Sequence, residues 1–248
     1  MDFTKHHQPF SNVSQNDIGI LLIHGFTSTT SSMMYLAEQF SKEGYNVELP
    51  RLSGHGTHWQ DLDNVVFEDW INDLEEALDI LKKRSSKIFL CGLSLGGALA
   101  VRLTQKQNFF KGIILINHAC VFTNPKFWFV PILKHIIPSV PAVANDIKDP
   151  NSKEIAYTKT SLKGLFQLLR LIKTIKKDLF KITCPILIFK SKEDHVIPIK
   201  SATYTMKMIN SKQKELIWLE NSYHVATLDF DKDVIMKKSI EFVRQLSK

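Results

Sequence analysis

Short, almost uninterrupted apolar runs alternate along this chain with longer stretches whose apolar residues recur at helical spacing. The runs Ile18–Ile23, Tyr45–Leu49, Lys87–Gly92, Gly112–Asn117, Pro185–Phe189 and Glu215–Leu219 predict strands. Most of them lack polar alternation, as strands covered on both faces require. Met33, Leu36, Ala37 and Phe40 share one helical face, which Gly44 ends. Phe67, Trp70, Ile71, Leu74, Ala77, Leu78 and Leu81 share another, opposite an acidic face. Further helices are expected over Ala98–Leu103 and from about Lys232 to the end. This alternation predicts an α/β fold: a mostly parallel central sheet with helices on both faces.

The rhythm breaks once. Between Asn117 and Pro185 lie 67 residues, far more than an ordinary connection in such a fold. We expect residues 119–182 to form an inserted helical cap, leaving 1–118 and 183–248 as the core. The first half of the insertion, Phe127–Ala144, is apolar, with Lys134 as its one charge and three prolines. It is expected either to roof an apolar tunnel or to pack on the sheet. In the second half, Leu162, Leu165, Phe166, Leu169, Ile172 and Leu179 are assigned to one face, and Lys163, Arg170, Lys173 and Lys177 to the other.

Composition narrows the classes. A chain of 248 residues, 44% hydrophobic, buries enough apolar surface to fold as one domain and is not disordered. Its net charge of +7 admits nucleic acid, an anionic membrane surface or plain solubility. Much of that excess sits between Lys163 and Lys181, where six basic residues face one acid. With no zinc-ligand spacing, recognition motif or aromatic–basic interleaving, no nucleic acid partner is expected. A weak association of the cap with anionic lipid surfaces is the sharper reading of the charge, beside that of a merely solvated face. Residues 1–17 hold no apolar core of a signal peptide, and no apolar run is long enough to span a bilayer. Cys91, Cys120 and Cys184 cannot all pair and are read as reduced thiols of a cytoplasmic chain.

Gly92-Leu93-Ser94-Leu95-Gly96 matches G-x-S-x-G between a strand and a helix. Such a turn presents a serine hydroxyl at a helix N-terminus, where developing negative charge is favoured. A serine needs a base, and the base a carboxylate to orient it. Asp194 and His224 follow in that chain order, each in a loop just past a strand. Glu193 is the rival acid, and His195 reads as a loop side chain. The oxyanion hole is expected from the backbone N–H of Leu95 and, after the first main strand, of Phe26. Gly54-His55-Gly56 marks a tight loop, with His55 structural. No cluster has metal-ligand spacing, so neither metal nor cofactor is expected.

Taken together, HGFT, PRLSGHG, EDW, GLSLGG, EDHVIP and SYHVATLD resemble the bacterial monoacylglycerol lipase and small carboxylesterase group of the α/β-hydrolase superfamily, over about residues 18–246. The segments Lys153–Thr160 and Leu165–Leu171 are similar to that group's cap. The resemblance implies an α/β-hydrolase fold with Ser94 as nucleophile, Asp194 as acid and His224 as base, and with Phe26 and Leu95 supplying the oxyanion hole. It also implies that Glu154 contacts a glycerol head group. The expected activity is hydrolysis of carboxylic esters, foremost monoacylglycerols, through an acyl-enzyme. A broader carboxylesterase for short- to medium-chain esters is the alternative, and a non-catalytic ligand-binding protein of the same fold the third reading. Dehalogenase and epoxide-hydrolase chemistry would need an aspartate where Ser94 stands.

Overall fold

In the computed structural model, residues 7–248 are described; the first six residues of the stretch in which no signal peptide is expected lie outside them. The chain enters through a short strand, β1 (Phe10–Asn12), then β2 (Ile18–Ile23), helix α1 (Ser31–Lys42) and β3 (Asn46–Leu49). Helix α2 (Phe67–Lys82), β4 (Lys87–Leu93), α3 (Leu95–Lys106) and β5 (Gly112–Ile116) follow. The long connection holds α4 (Val130–Leu133), a two-stranded ribbon of β6 (Ser139–Pro141) and β7 (Lys159–Ser161), and α5 (Leu162–Lys177). The chain closes with β8 (Ile186–Ser191), α6 (Lys200–Met208), β9 (Lys214–Leu219) and α7 (Lys232–Leu246).

Seven strands form the main sheet in the order β1-β3-β2-β4-β5-β8-β9, all parallel except β1, which runs antiparallel to β3 at the edge. Alternate residues of each central strand feed two cores. Leu21, Ile23, Leu90, Ile113 and Ile188 pack under α2, α3 and α5, whereas Ile20, Leu22, Phe89, Ile114 and Phe189 pack under α1 and α7. Burial on both sides is why these strands read as unbroken apolar runs. Because they are parallel, their C-terminal ends share one edge of the sheet. Registers such as Ile23 beside Gly92, Leu93 beside Ile116 and Ser191 beside Leu219 bring the loops after five strands together there.

Three elements depart from expectation. Strand β1 carries no apolar run, only Phe10-Ser11-Asn12, and is held at the edge by pairing with β3. Helix α6, rich in Thr and Ser, has too weak an apolar stripe to be read from sequence. Helix α5 forms with the assigned apolar face inward, but its fully buried stripe is shifted toward Leu168, Leu171 and Ile175. Leu162, Leu165, Leu168, Leu171, Ile172 and Ile175 are buried, while Phe166 and Leu169 are only half-buried. Gly164 lies on the buried side. A Cβ there would lie 3.0 Å from Leu62 Cβ and 3.3 Å from Phe26 Cζ, so the helix presses its glycine side onto the core.

The closest backbone approach of all lies where β4 turns into α3. A Cβ on Gly96 would stand 2.1 Å from the carbonyl oxygen of Ile23, and one on Gly92 would meet Gly96 at 2.3 Å. Helix α3 thus begins in contact with the end of β2, with no room for any side chain. Gly96→Ala is expected to destabilise the chain by about 3 kcal/mol, the upper part of the usual overpacking range, read as a lowered urea midpoint.

Candidate active site

Ser94 sits at that turn with φ +55° and ψ −113°, a conformation disfavoured for an L-residue that costs roughly 1–3 kcal/mol. Its N–H donates to Ile116 O at 3.0 Å, and its carbonyl accepts from Ala98 N–H and Ala119 N–H. The strain is therefore held by β5 and α3 together. Among the described residues, the other non-glycine positions with positive φ are Thr27, Asn117 and Asn145. All four border one region: Thr27 and Ser94 line a single cavity, Asn117 donates to His224 O at 2.8 Å, and Asn145 bonds Glu154. Strained backbone concentrated in this way marks a functional site.

The cavity, of about 410 Å³, is walled by Gly25, Phe26, Ser94, His224 and Val225 on the core side. Phe122, Phe127, Val140, Pro141, Val143 and Glu154 close it from the long connection. The site is thus roofed in part by the Phe127–Ala144 segment, as one expectation had it. Val130 is buried in the core and Leu133 packs against it. Trp128, at 86%, and Ile136, at 73%, are exposed, with Phe129 and Ile132 also in solvent, so only part of the segment lines the cavity or packs inward.

His224, in the loop after β9, places Nδ1 3.1 Å from both Oδ1 and Oδ2 of Asp194. A carboxylate at Nδ1 fixes the proton there and leaves Nε2 as the basic nitrogen. Asp194 Oδ1 also accepts the N–H groups of Val196 at 2.9 Å and Ile197 at 2.8 Å. Burial pushes the Asp194 carboxyl up, but His224 and Lys190 outweigh it and hold the group well below the usual range. Glu193, the rival acid, is exposed and paired with Lys148 at 2.8 Å. His195 leans on Tyr223 and pairs with Asp146 at 2.7 Å. Ser94 and His224 share the cavity without a direct hydrogen bond among the described residues.

The first loop is built around buried imidazoles. His24 Nε2 accepts Leu52 N–H at 3.2 Å, which leaves the proton on Nδ1 for Gly25 O at 3.0 Å. His55 packs edge-on against His24, Phe26 and Trp70. Gly25 runs beside Ser94, where a Cβ would be 3.5 Å from the serine Cβ. Neither the Phe26 N–H nor the Leu95 N–H finds a protein acceptor among the described residues, the latter because it heads α3. Glu154 is buried, lines the cavity and is bracketed by Asn145: Asn145 N–H donates to its Oε2 at 3.3 Å, and its own N–H donates to Asn145 Oδ1 at 2.7 Å. No group of described residues could hold a metal ion.

Three residues of the site escaped the sequence reading. Lys190, the next residue after the strand as read, is fully buried against Asp194. Asn117 ties β5 to Ser191 and to the His224 loop. Asp146, from the inserted segment, accepts the backbone N–H groups of both His224 at 3.0 Å and His195 at 3.2 Å. A lysine at the end of an apolar strand was the one available signal.

The parallel sheet, the serine at its strained strand–helix turn and the His–Asp pair on neighbouring loops define an α/β-hydrolase. The family described as serine aminopeptidase, S33, matches residues 14–231, and this chain belongs to it. The thermostable monoacylglycerol lipase of Bacillus sp. (strain H-257) is 42% identical over 232 residues, covering 91% of this chain and 90% of that protein. A carboxylesterase of Bacillus subtilis (strain 168) is 26% identical over 93% of this chain and 94% of its own length. Among solved structures, a metagenome-derived lipolytic enzyme superposes with TM-score 0.94 at 38% identity, over 97% of this chain and 98% of its own. The monoacylglycerol lipase of Paleococcus ferrophilus, at 16% identity over 96% and 98% of the chains, shares the fold with TM-score 0.82.

Burial also makes a pH prediction. It lowers His24 to about 4, and His55 and His118 to about 3, with the neighbouring charges of His24 and Lys190 adding to the latter two. The unfolded chain takes up these protons near pH 6.5, whereas the folded chain does not. Stability is therefore complete above about pH 6.5 and falls toward pH 4, by about 1.4 kcal/mol per pH unit for each histidine. Urea titrations across that range should show the slope, and His55→Leu should reduce it by one histidine's share.

Proposed function

We propose that the chain is a serine hydrolase of carboxylic esters whose preferred substrate is a monoacylglycerol, cleaved to glycerol and a free fatty acid. The observation that carries this reading is His224, its Nδ1 held by Asp194 at 3.1 Å and its ring in the same cavity as the strained Ser94. Ser94 Oγ attacks the ester carbonyl while His224 Nε2 takes its proton, and Asp194 stabilises the imidazolium. The oxyanion is received by the N–H groups of Phe26 and Leu95. His224 returns the proton to the departing glycerol oxygen, and a water activated by the same base releases the acyl group from Ser94. Glu154 accepts from glycerol hydroxyls. Residues 119–182 act as the cap, and their Phe122, Phe127, Val140 and Leu165 wall the acyl chain, whose burial is worth about 0.8 kcal/mol per CH₂. The names of the similar lipases and the apolar wall favour one acyl chain and a polar head over a general ester.

Ser94→Ala should abolish both monoolein hydrolysis and labelling by a fluorophosphonate, measured as fatty acid release and by gel fluorescence. Surviving labelling, or faster turnover of aminoacyl p-nitroanilides than of monoolein, would overturn the reading.

The cap also supports a contact with anionic lipid surfaces, in which exposed apolar residues add to the basic face. On the basic face, Arg170 is engaged by Glu68 at 3.3 Å, Lys181 by Asp178 at 3.0 Å, and Lys176 by the Tyr204 ring. The free apolar surface is the Trp128, Phe129, Ile132 and Ile136 cluster. Lys126 and Lys134 lie in the same stretch, the latter over the Phe166 ring. Aromatic and aliphatic side chains flanked by lysines suit an interfacial site, and a cytoplasmic setting with three free thiols agrees with the inner leaflet. Trp128→Ser with Ile136→Ser should weaken binding to phosphatidylglycerol-containing vesicles by about tenfold or more in a sedimentation assay, with hydrolysis of a water-soluble p-nitrophenyl ester retained.

A further inference from the structure

Beneath the His–Asp pair lies a buried charge that the mechanism above does not use. Lys190 is the penultimate residue of β8, with its side chain fully out of solvent. Its Nζ contacts Asp194 Oδ2, Asn117 Oδ1 at 3.3 Å and Ile197 O at 2.8 Å. Three acceptors around one nitrogen require the ammonium, the only form with three N–H donors. A buried ion pair is by itself weak support for stability, since desolvation offsets much of the attraction. What distinguishes this one is where its acceptors belong. Asp194 orients His224. Ile197 supplies one of the N–H donors to Asp194 Oδ1, so Lys190 closes that loop on itself. Asn117 in turn donates to the carbonyls of Tyr223 at 3.2 Å and His224 at 2.8 Å. One ammonium therefore joins the loop of the acid to Asn117 at the end of β5 and, through Asn117, to the loop of the base.

We propose that Lys190 is a positioning residue of this hydrolase: it clamps Asp194 Oδ2 and sets, through that carboxylate, both the orientation of His224 and the charge it experiences. This rests on the reading of Ser94, Asp194 and His224 as the catalytic set. With Lys190 present, the cluster is electrically neutral while His224 is neutral and gains a net positive charge when His224 takes a proton. Removing the lysine charge leaves the carboxylate uncompensated, so the base is protonated more readily and works over a narrower range on the acid side. Other groups facing the cluster are Asp146 at the His224 backbone, His195 paired with it, His118 beside Lys190, Asp229 at the Tyr223 N–H, and the outer Lys148–Glu193 pair. None of them contacts Asp194 Oδ2. Burial lowers the Lys190 ammonium from its ordinary value, and the Asp194 carboxylate opposes that shift.

The test compares Lys190→Met and Lys190→Gln with the unchanged chain, using the pH profile of kcat/KM on a p-nitrophenyl ester, the separate kcat and KM, and Tm. Both variants should move the acid limb to higher pH by about one unit, the scale of a unit charge removed at short range in a protein interior. kcat should fall about 10- to 100-fold from lost alignment, less for Gln, which keeps a donor, and KM should change little. A lower Tm with an unmoved pH profile would make Lys190 a structural residue only and overturn the proposal. Because the charge is lost in both, the Gln variant decides alone if the Met variant does not fold. In the unchanged chain, an ammonium shielded in three hydrogen bonds should give a 1H–15N signal that surface lysines lose to exchange and that moves as the acid limb is crossed. Its absence, or indifference to pH there, would also overturn the proposal. Ser94→Ala is assayed alongside: activity surviving there sinks the catalytic set itself, whereas an inactive Ser94→Ala with unmoved Lys190 profiles sinks only the role of the lysine.

Discussion

Helix α3 starts against the carbonyl of Ile23 with only hydrogen atoms between the two backbones, and most of what matters in this molecule follows from that contact. It forces the chain to leave β4 through Ser94 in a left-handed turn. Because α3 is pinned to the end of β2, its free first N–H stands next to the loop that carries Phe26. A side chain at Gly96 would separate serine, helix terminus and loop at once. The unfavourable φ of Ser94 is held by hydrogen bonds to β5 and to Ala119, so the sheet supports the strain and the cavity uses it.

Charge is arranged under the same logic. The cavity is mostly apolar, and the ionisable groups that reach its wall are bonded in series into the protein behind it: His224 to Asp194, Asp194 to Lys190, Lys190 to Asn117. Each buried polar atom in that series meets another, which is the condition for placing ions where water is scarce. The imidazoles of His24 and His55 follow a different rule. They are kept neutral by burial and serve as polar packing beneath the first loop.

Ser94, Asp194 and His224 could be found in the sequence because each lies in a short loop after an apolar run, and because parallel strands bring such loops to one edge. The strands themselves were legible for the same reason, burial on both faces. What the one-dimensional pattern hides is anything decided by a neighbour. Strand β1 exists only because β3 offers an unpaired edge. Gly164 of α5 lies close against Leu62, and a helix with leucines at 165, 168, 169 and 171 presents several nearly equivalent stripes. Lys190 looked like the first residue of a loop, since only the carboxylate and carbonyl waiting for it make a lysine acceptable inside. Trp128 and Ile136 carry the composition of a core and none of its surroundings.

Asp146 belongs to the long connection, yet it receives the backbone N–H groups of His224 and of His195, and Val225 N–H donates to its carbonyl at 3.1 Å. The roof is therefore stitched to the very loops it covers. Exchanging this connection for that of a relative would unfasten His224 along with the roof. In evolutionary terms, specificity and catalysis in this chain are not free to drift apart: any replacement roof must bring its own acceptor to the spot where Asp146 now stands.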